Sequence, residues 1–463
     1  MLAGQLATMR ASAPVDPLRL ATLPGRREPG VLTVRGWTVV VGDPLGVVTD
    51  AGQLDRLGAA CGWREPPPSA DGPPFVGGAV GYVTEDAASD WLALPPDPRP
   101  RRHGLTPLRF AVHDTAVCLP PDGGPPWLVA AWLPGWSRRP QAERLDELGD
   151  LVQAARRAGP VEAPTVGPPA WTRRSLDQRA HHAGVERVLE WIGAGDLYQL
   201  NLTLQLGVPW PHGGPALARR LWDASPEAAH AAYLSAGDAE IVSISPETFL
   251  TVDGQRATVR PIKGTRPRGS DDHADAAAAL ALEGSAKDQA EHVMIVDLER
   301  NDLGRVCATG SVVVPHLATL EAHPTVWHLT STVEGQLRSS AGLADVLAAL
   351  FPCGSVTGAP KRMAVARTRA LEPVRRGVYC GAIGVVTQGR VDLSVAIRTA
   401  VLSRGVATYG TGGGIVADSD PGDEHAEAMA KAAAFLRATG GAAELPETRR
   451  RPAAPRTRAV PAG

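Results

Sequence analysis

The chain has 463 residues, a formal net charge of −2, and 44% hydrophobic against 21% charged residues. That is length for one large or two ordinary domains and apolar content for a packed core, which argues against disorder. The near-neutral balance gives no reason to expect nucleic acid or an anionic membrane as a partner, and no apolar run reaches membrane-spanning length.

The first residues, M-L-A-G-Q-L-A-T-M-R, lack the basic-then-apolar plan of a secretory signal. Five widely spaced cysteines (Cys61, Cys118, Cys307, Cys353, Cys380) fit neither a disulfide framework nor a zinc site, and a cytoplasmic setting is expected. Residues 31–41 read as two short strands around Gly36. Residues 75–82, F-V-G-G-A-V-G-Y, read as a strand whose glycines permit close backbone approach. Proline clusters at 66–68, 95–100 and 120–126 punctuate this part. Residues 128–132 read as a strand and 141–157 as a helix with Leu145, Leu148, Leu151 and Val152 on one face. The Pro- and Gly-rich stretch 159–169 marks a boundary between an N-terminal region (1–165) and a second region (170–440). Residues 446–463 are Arg, Pro and Ala without periodicity and read as a disordered tail.

The second region holds the polar signals. Residues 175–194 read as a helix, and 197–206, L-Y-Q-L-N-L-T-L-Q-L, as a strand with leucines on one face. Its other face, Gln199, Asn201, Thr203 and Gln205, is either solvated or lines a cavity. The stretch 245–268 places an acid, Glu247, and an amine, Lys263, near each other. Strand 249–252, a two-residue turn at Asp253-Gly254 and return strand 255–260 set position 247 opposite about 260, with Lys263 just past Pro261. The two residues form either a catalytic pair or a surface ion pair.

Residues 271–282 read as an Ala-rich helix opened by aspartates. In the next segment Asp288 and Glu291 are three apart. After Pro421, Glu424 and Glu427 repeat that spacing, with Lys431 one turn further. Two such helices could hold Mg2+ through oxygen ligands, or could simply be solvated acidic faces. His328, in W-H-L-T-S-T, falls on a strand, where a lone histidine is commonly structural. Residues 351–361, F-P-C-G-S-V-T-G-A-P-K, read as a loop exposing N–H groups to an anion, with Pro360 opening helix 361–371. A meander follows over 378–387, 391–402 and 406–410. In its middle strand Val391, Leu393, Val395, Ile397 and Val401 share one face, and Arg398 lies on the other, able to grip a carboxylate. Thr411 to Gly414 then read as a flexible loop rich in N–H groups.

Seven strings, in order, carry a resemblance: S-P-E-T-F-L, K-D-Q-A-E-H-V-M-I-V-D-L-E-R-N-D-L-G-R-V, H-L-T-S-T-V, F-P-C-G-S-V-T-G-A-P-K-R, Y-C-G-A-I-G, A-I-R-T and G-G-G-I-V-A-D-S-D-P. Over about 171–440 the chain resembles the chorismate-binding enzymes. That resemblance implies an α+β fold of the anthranilate synthase component I type, with two layered antiparallel sheets flanked by helices and the cleft between them. The N-terminal region is expected to complete the sandwich. It also implies Mg2+ held by Glu291 and Glu427, with Asp288 and Glu424 acting through bound water. Thr357, Gly358, Tyr379, Arg398, the amides of Gly412, Gly413 and Gly414, and Lys431 match substrate-binding positions. His328 matches the family's active-site histidine, and Glu247 its general acid.

Two positions choose the branch. Gln199 stands where the water-using members carry a lysine base, so the pattern resembles the ammonia-using members. Within them, P-I-K-G-T at 261–265 resembles the aminodeoxychorismate synthase branch rather than the P-I-A-G-T of anthranilate synthases. The resemblance implies chorismate and ammonia as substrates and attack by Lys263 on the ring. With no glutaminase motif in the chain, it also implies a separate class I glutamine amidotransferase subunit. The rivals are an anthranilate-type synthase carrying Lys263 and a non-catalytic chorismate-binding paralogue.

Overall fold

The computed structural model describes residues 6–11, 13–67 and 71–441. The expected tail at 446–463, the first five residues and Pro68 lie outside them.

Two large antiparallel sheets stack face to face, one of 12 strands and one of 10. The α+β expectation of layered antiparallel sheets flanked by helices is borne out. Strands from before residue 132 are hydrogen-bonded into both sheets. Gly30–Val34 joins His230–Ala236 in the larger, and Gly78–Val83 joins Ala382–Thr387 in the smaller. The core between the sheets is built from alternate residues of these strands, among them Leu32, Val39, Val80, Tyr82, Ile241, Ile383 and Val401. The opposite strand faces are covered by helices. Ala51–Cys61, Ala286–Gly304 and Leu343–Leu350 pack on the smaller sheet, and Gln141–Ala158, Gly213–Ala224 and Pro421–Ala438 on the larger. No helix among the described residues is long and apolar enough to cross a membrane.

Local chemistry explains most boundaries. Asp177, Asp271, Ser285 and Asp420 each cap the helix that follows by accepting an N–H bond from its first turn. The Arg35–Gly36 turn has positive φ at both positions, 51° and 80°, as the tight hairpin between Gly30–Val34 and Trp37–Val41 requires.

Several expectations need correcting. The turn after Thr248–Asp253 sits at Gly254-Gln255, because Asp253 pairs with Arg256. Gly254 takes the positive φ (60°) at the first central position, so the register moves by two residues. Lys263 does not trail off a ribbon end but lies in its own strand, Ile262–Pro267, paired with Val326–Gln336. The single strand expected over 391–402 is two, Arg390–Val395 in the smaller sheet and Thr399–Ser403 in the larger. Arg398 lies in the crossing between them with φ 48°, which turns the chain. Val391, Leu393 and Val395 therefore pack under the helices, while Val401 packs between the sheets. Residues 411–414 are not a loop but part of the strand Val406–Ile415, paired with Gln199–Pro209. Pro360 precedes its helix, Lys361–Leu371, as the cap residue rather than opening it.

Candidate active site

The smaller sheet delivers Glu247 and Lys263 to one place. Glu247 follows Ser245-Pro246 at the start of Thr248–Asp253, where its carbonyl accepts the Val395 N–H at 3.0 Å. It is only 5% exposed. Burial pushes its carboxyl above the usual range, opposed by the nearby Ser355 hydroxyl and the Lys263 ammonium, and its Oε1 has no hydrogen-bond partner among the described residues. Lys263 Nζ donates to the carbonyl of Ser355 at 3.2 Å. Burial lowers the pKa of its amine, while Glu291 and Glu247 pull the other way. A buried carboxyl shifted toward its neutral form near an amine shifted toward its neutral form is the pairing that general acid and nucleophilic catalysis both need.

Two helices bring acids toward this pair. Asp288 and Glu291 lie on Ala286–Gly304, and Glu424 and Glu427 on Pro421–Ala438. Burial raises the pKa of Glu291, with Lys263 opposing it, and also raises that of Glu424 against its bond to Ser419. Burial would raise Glu427 too, but the Lys431 ammonium at 2.7 Å outweighs it and holds that carboxyl below the usual range. Asp288 is paired with Arg266 at 2.6 Å, and the Ser419 hydroxyl bonds Glu424 at 2.6 Å. Among the described residues no three His, Cys, Asp or Glu side chains stand close enough to hold a metal ion together. Gly413 lies against two of these acids and the Lys431 ammonium. A Cβ on Gly413 would lie 2.9 Å from Glu424 Oε2 and 4.0 Å from both Glu427 Oε1 and Lys431 Nζ. Carboxylates from two helices are the ligand type that a hard cation such as Mg2+ prefers.

The larger sheet supplies the opposite wall. Residues 199–208 of the Gln199–Pro209 strand are all buried, so its polar face is not solvated. Gln199 is 0% exposed, and neither side-chain oxygen nor nitrogen has a hydrogen-bond partner among the described residues. Its amide lies against Gly414, where a Cβ would stand 2.1 Å from Nε2 and 3.4 Å from Lys263 Nζ. Lys431 Nζ donates to the Gly412 carbonyl at 3.1 Å.

His328 stands opposite Thr265, one bulge beyond Lys263, and its Nδ1 meets the Thr265 hydroxyl at 2.9 Å. Burial, with His323 and the Arg398 charge, drives its pKa to about 4, so it is neutral at physiological pH. The Arg398 guanidinium makes no hydrogen bond or ion pair among the described residues and is a cation free to take an anion. Thr357 is buried, its hydroxyl donating to the Cys353 carbonyl at 2.8 Å, and Gly358 pairs with Leu200. The loop before them does not present its N–H groups outward as expected. Gly354 N–H goes to Glu299 Oε1, Val356 N–H to Cys353, and Thr357 N–H to Gly354. The Tyr379 ring lies flat over Gly410, on the strand that carries Gly412 to Gly414.

Sequence reasoning missed Ser355, whose carbonyl takes the Lys263 amine and whose hydroxyl is near Glu247. It also missed Arg376, which clamps the Val356 and Asn201 carbonyls and pairs with Glu372 at 2.7 Å, tying the loop to the Gln199–Pro209 strand. Neither is marked locally: apart from Glu372, four residues before Arg376, the bonded partners named lie 20 to 175 residues away.

A layered sandwich with a buried acid, a desolvated amine, an unpaired arginine and facing acidic helices defines an enzyme-like site for a small anionic molecule. Residues 50–437 match the chorismate binding enzymes, and the chain belongs to that family. It is 38% identical to anthranilate synthase component 1 of Thermus thermophilus, over 89% of this chain and 86% of the relative. It is 35% identical to aminodeoxychorismate synthase component 1 of Salmonella typhimurium, over 90% and 86% respectively. The crystal structure of anthranilate synthase component I from Streptococcus pneumoniae superposes with a TM-score of 0.71 at 27% identity, covering 94% of this chain and 92% of that one.

Proposed function

We propose that the chain is an aminodeoxychorismate synthase component that converts chorismate and ammonia to 4-amino-4-deoxychorismate and water. The observation that carries this reading is the Lys263 amine, desolvated and directed between Ser355 and Glu247 beside an uncharged Gln199. Lys263 Nζ forms a bond to ring C2, the two conjugated ring double bonds each shift one place, and the C4–O bond breaks as Glu247 protonates the departing hydroxyl. Ammonia then bonds to C4, both double bonds shift back, the C2–Nζ bond breaks, and Glu247 takes the surplus ammonium proton. Gln199 cannot deprotonate water, so it does not direct hydroxide to the ring. Arg398 would take one substrate carboxylate. Glu291 and Glu427, with Asp288 and Glu424 behind them, would hold Mg2+, which when bound neutralises the other carboxylate. Ammonia would come from a separate class I glutamine amidotransferase subunit.

The test is adduct capture. Chorismate added without ammonia should leave a mass adduct on the peptide holding Lys263, and Lys263→Ala should abolish it. Unchanged aminodeoxychorismate output from that variant would remove Lys263 from the nucleophile role. A second reading, an anthranilate synthase component, is favoured by the 38% identity to the Thermus enzyme.

A further inference from the structure

The direction of the Lys263 amine is set from outside its own strand. The amine donates to the Ser355 carbonyl at 3.2 Å, and that carbonyl sits in a short turn, Gly354–Val356, tied down on both sides. On one side the Gly354 N–H donates to Glu299 Oε1 at 2.9 Å, an oxygen that the Cys353 thiol also approaches at 3.7 Å. On the other side Arg376 Nη1 donates to the Val356 carbonyl at 3.1 Å. Glu299 lies on the Ala286–Gly304 helix and is 1% exposed, and its Oε2 has no partner among the described residues. The turn sits tightly against that helix. A Cβ on Gly354 would stand 2.7 Å from the Leu298 side chain and 2.9 Å from Glu299 Oε1. The proposed reaction gives Glu299 no part.

We propose that Glu299 is a positioning residue for Lys263. By accepting the Gly354 N–H it holds the turn, and with it the Ser355 carbonyl, where that carbonyl takes one N–H of the amine. A neutral amine has two N–H bonds and one lone pair, so an acceptor fixed in space narrows the directions open to the lone pair. Without the anchor the turn can shift, and a displacement of about 1 Å at a reacting group costs about 100-fold. The same helix carries Asp288 and Glu291. One helix thus bears candidate metal ligands and anchors the acceptor of the nucleophile.

The surroundings of Glu299 suit an anchor. Lys361, the nearest ammonium, is taken by Asp302 and by the Leu350 carbonyl at 2.7 Å, and it makes no ion pair with Glu299 among the described residues. Burial raises the Glu299 carboxyl to about 7, with Lys361 opposing and Asp302 adding to the rise. Protonated or ionised, the group keeps an acceptor oxygen for Gly354. The turn therefore uses the oxygen and not the charge, and an amide oxygen at position 299 serves as well.

This inference rests on Lys263 serving as the nucleophile of the proposed reaction. Its test compares, in the full chain, Glu299→Gln, which keeps the acceptor, with Glu299→Met, which has nearly the same shape and no acceptor. Both remove the carboxylate, so a difference between them reports the Gly354 bond rather than the charge. In Glu299→Met, kcat and the single-turnover rate of the adduct at Lys263 should fall about 10- to 100-fold, with KM for chorismate within about twofold of the parent, because the bond orients the nucleophile and does not hold substrate. Glu299→Gln should recover most of that loss. Equal rates in the two variants overturn the proposal, whether both are fast or both slow. If Glu299→Met does not fold, Glu299→Ala, which also lacks the acceptor, takes its place in the comparison. The nitrogen NMR resonance of Lys263 Nζ, one of only four lysines in the chain, needs no turnover. At a single pH its position should differ between Glu299→Met and Glu299→Gln, and identical positions end the proposal. If the parent forms no adduct, the reading of Lys263 as nucleophile fails, and the resonance still decides whether Glu299 positions its amine.

Discussion

Gly414→Ala probes the wall of the site with a single added carbon. Gly414 is not among the glycines with positive φ, so its backbone accepts alanine. The new Cβ would fall 2.1 Å from Gln199 Nε2, 3.2 Å from its Cδ and 3.4 Å from Lys263 Nζ. The shortest contact must open to about 3.4 Å, a displacement of more than ~1 Å for a side chain that is fully buried. Overpacking of this kind costs about 1–2 kcal/mol, which for a chain this long lowers Tm by only about 1–2 °C. Chemistry is less forgiving, because a 1 Å misplacement at reacting groups costs about 100-fold. Thermal unfolding and kcat/KM for chorismate, measured side by side, should therefore separate, with a small change in Tm and a loss near two orders of magnitude in rate. Activity within threefold of the parent would refute the placement of Gln199 and Lys263 against this strand.

Arg376 and Glu372 are each about 3% exposed at the side chain, so Arg376→Met strands a buried carboxylate and frees the Val356 and Asn201 carbonyls. Chemical denaturation should show a loss of about 3–5 kcal/mol, with part of it recovered by adding Glu372→Gln. His181 is fully buried with both ring nitrogens unpartnered among the described residues, and burial with its neighbours His425 and His182 holds its pKa to about 4. Between that value and the ordinary 6.5 the unfolded chain binds a proton the folded one refuses, so stability falls as pH drops through this window. His181→Phe should remove this loss, gaining about 2 kcal/mol relative to the parent between pH 7.5 and pH 5 in denaturant titrations. Chelation should abolish chorismate turnover, and Mg2+ should restore it better than the larger Ca2+; full activity in excess chelator would argue against the carboxylate set as a cation site.

Much of the fold was legible because its signals are local. The start of one helix followed from the aspartates at 271–272 and of another from Pro421, and strand faces from the alternation in 199–206. Strand-to-sheet assignment was not legible. Apolar alternation from Val391 to Val401 reads as one strand, and only the positive φ at Arg398, paired with no sequence mark, carries the chain to the other sheet. The glycines at 412–414 suggested a loop because their true reason, the approach of Gln199 and Glu424, is a tertiary one. For the site, Glu247, Lys263 and the spaced acids stood out as residue types in strings. Ser355, Cys353 and Glu299 did not, since a small-residue loop and a helix 55 residues apart show nothing of their contact until folded.

The central claim, that Lys263 directs ammonia to C4, is tested most directly by the product. Purified full-length chain is mixed with chorismate, a magnesium salt and an ammonium salt at mildly alkaline pH, and products are resolved by mass and fluorescence. A product with the mass of aminodeoxychorismate, its enolpyruvyl group retained and convertible to p-aminobenzoate by an added lyase, is the expected result. Anthranilate released together with pyruvate would contradict it.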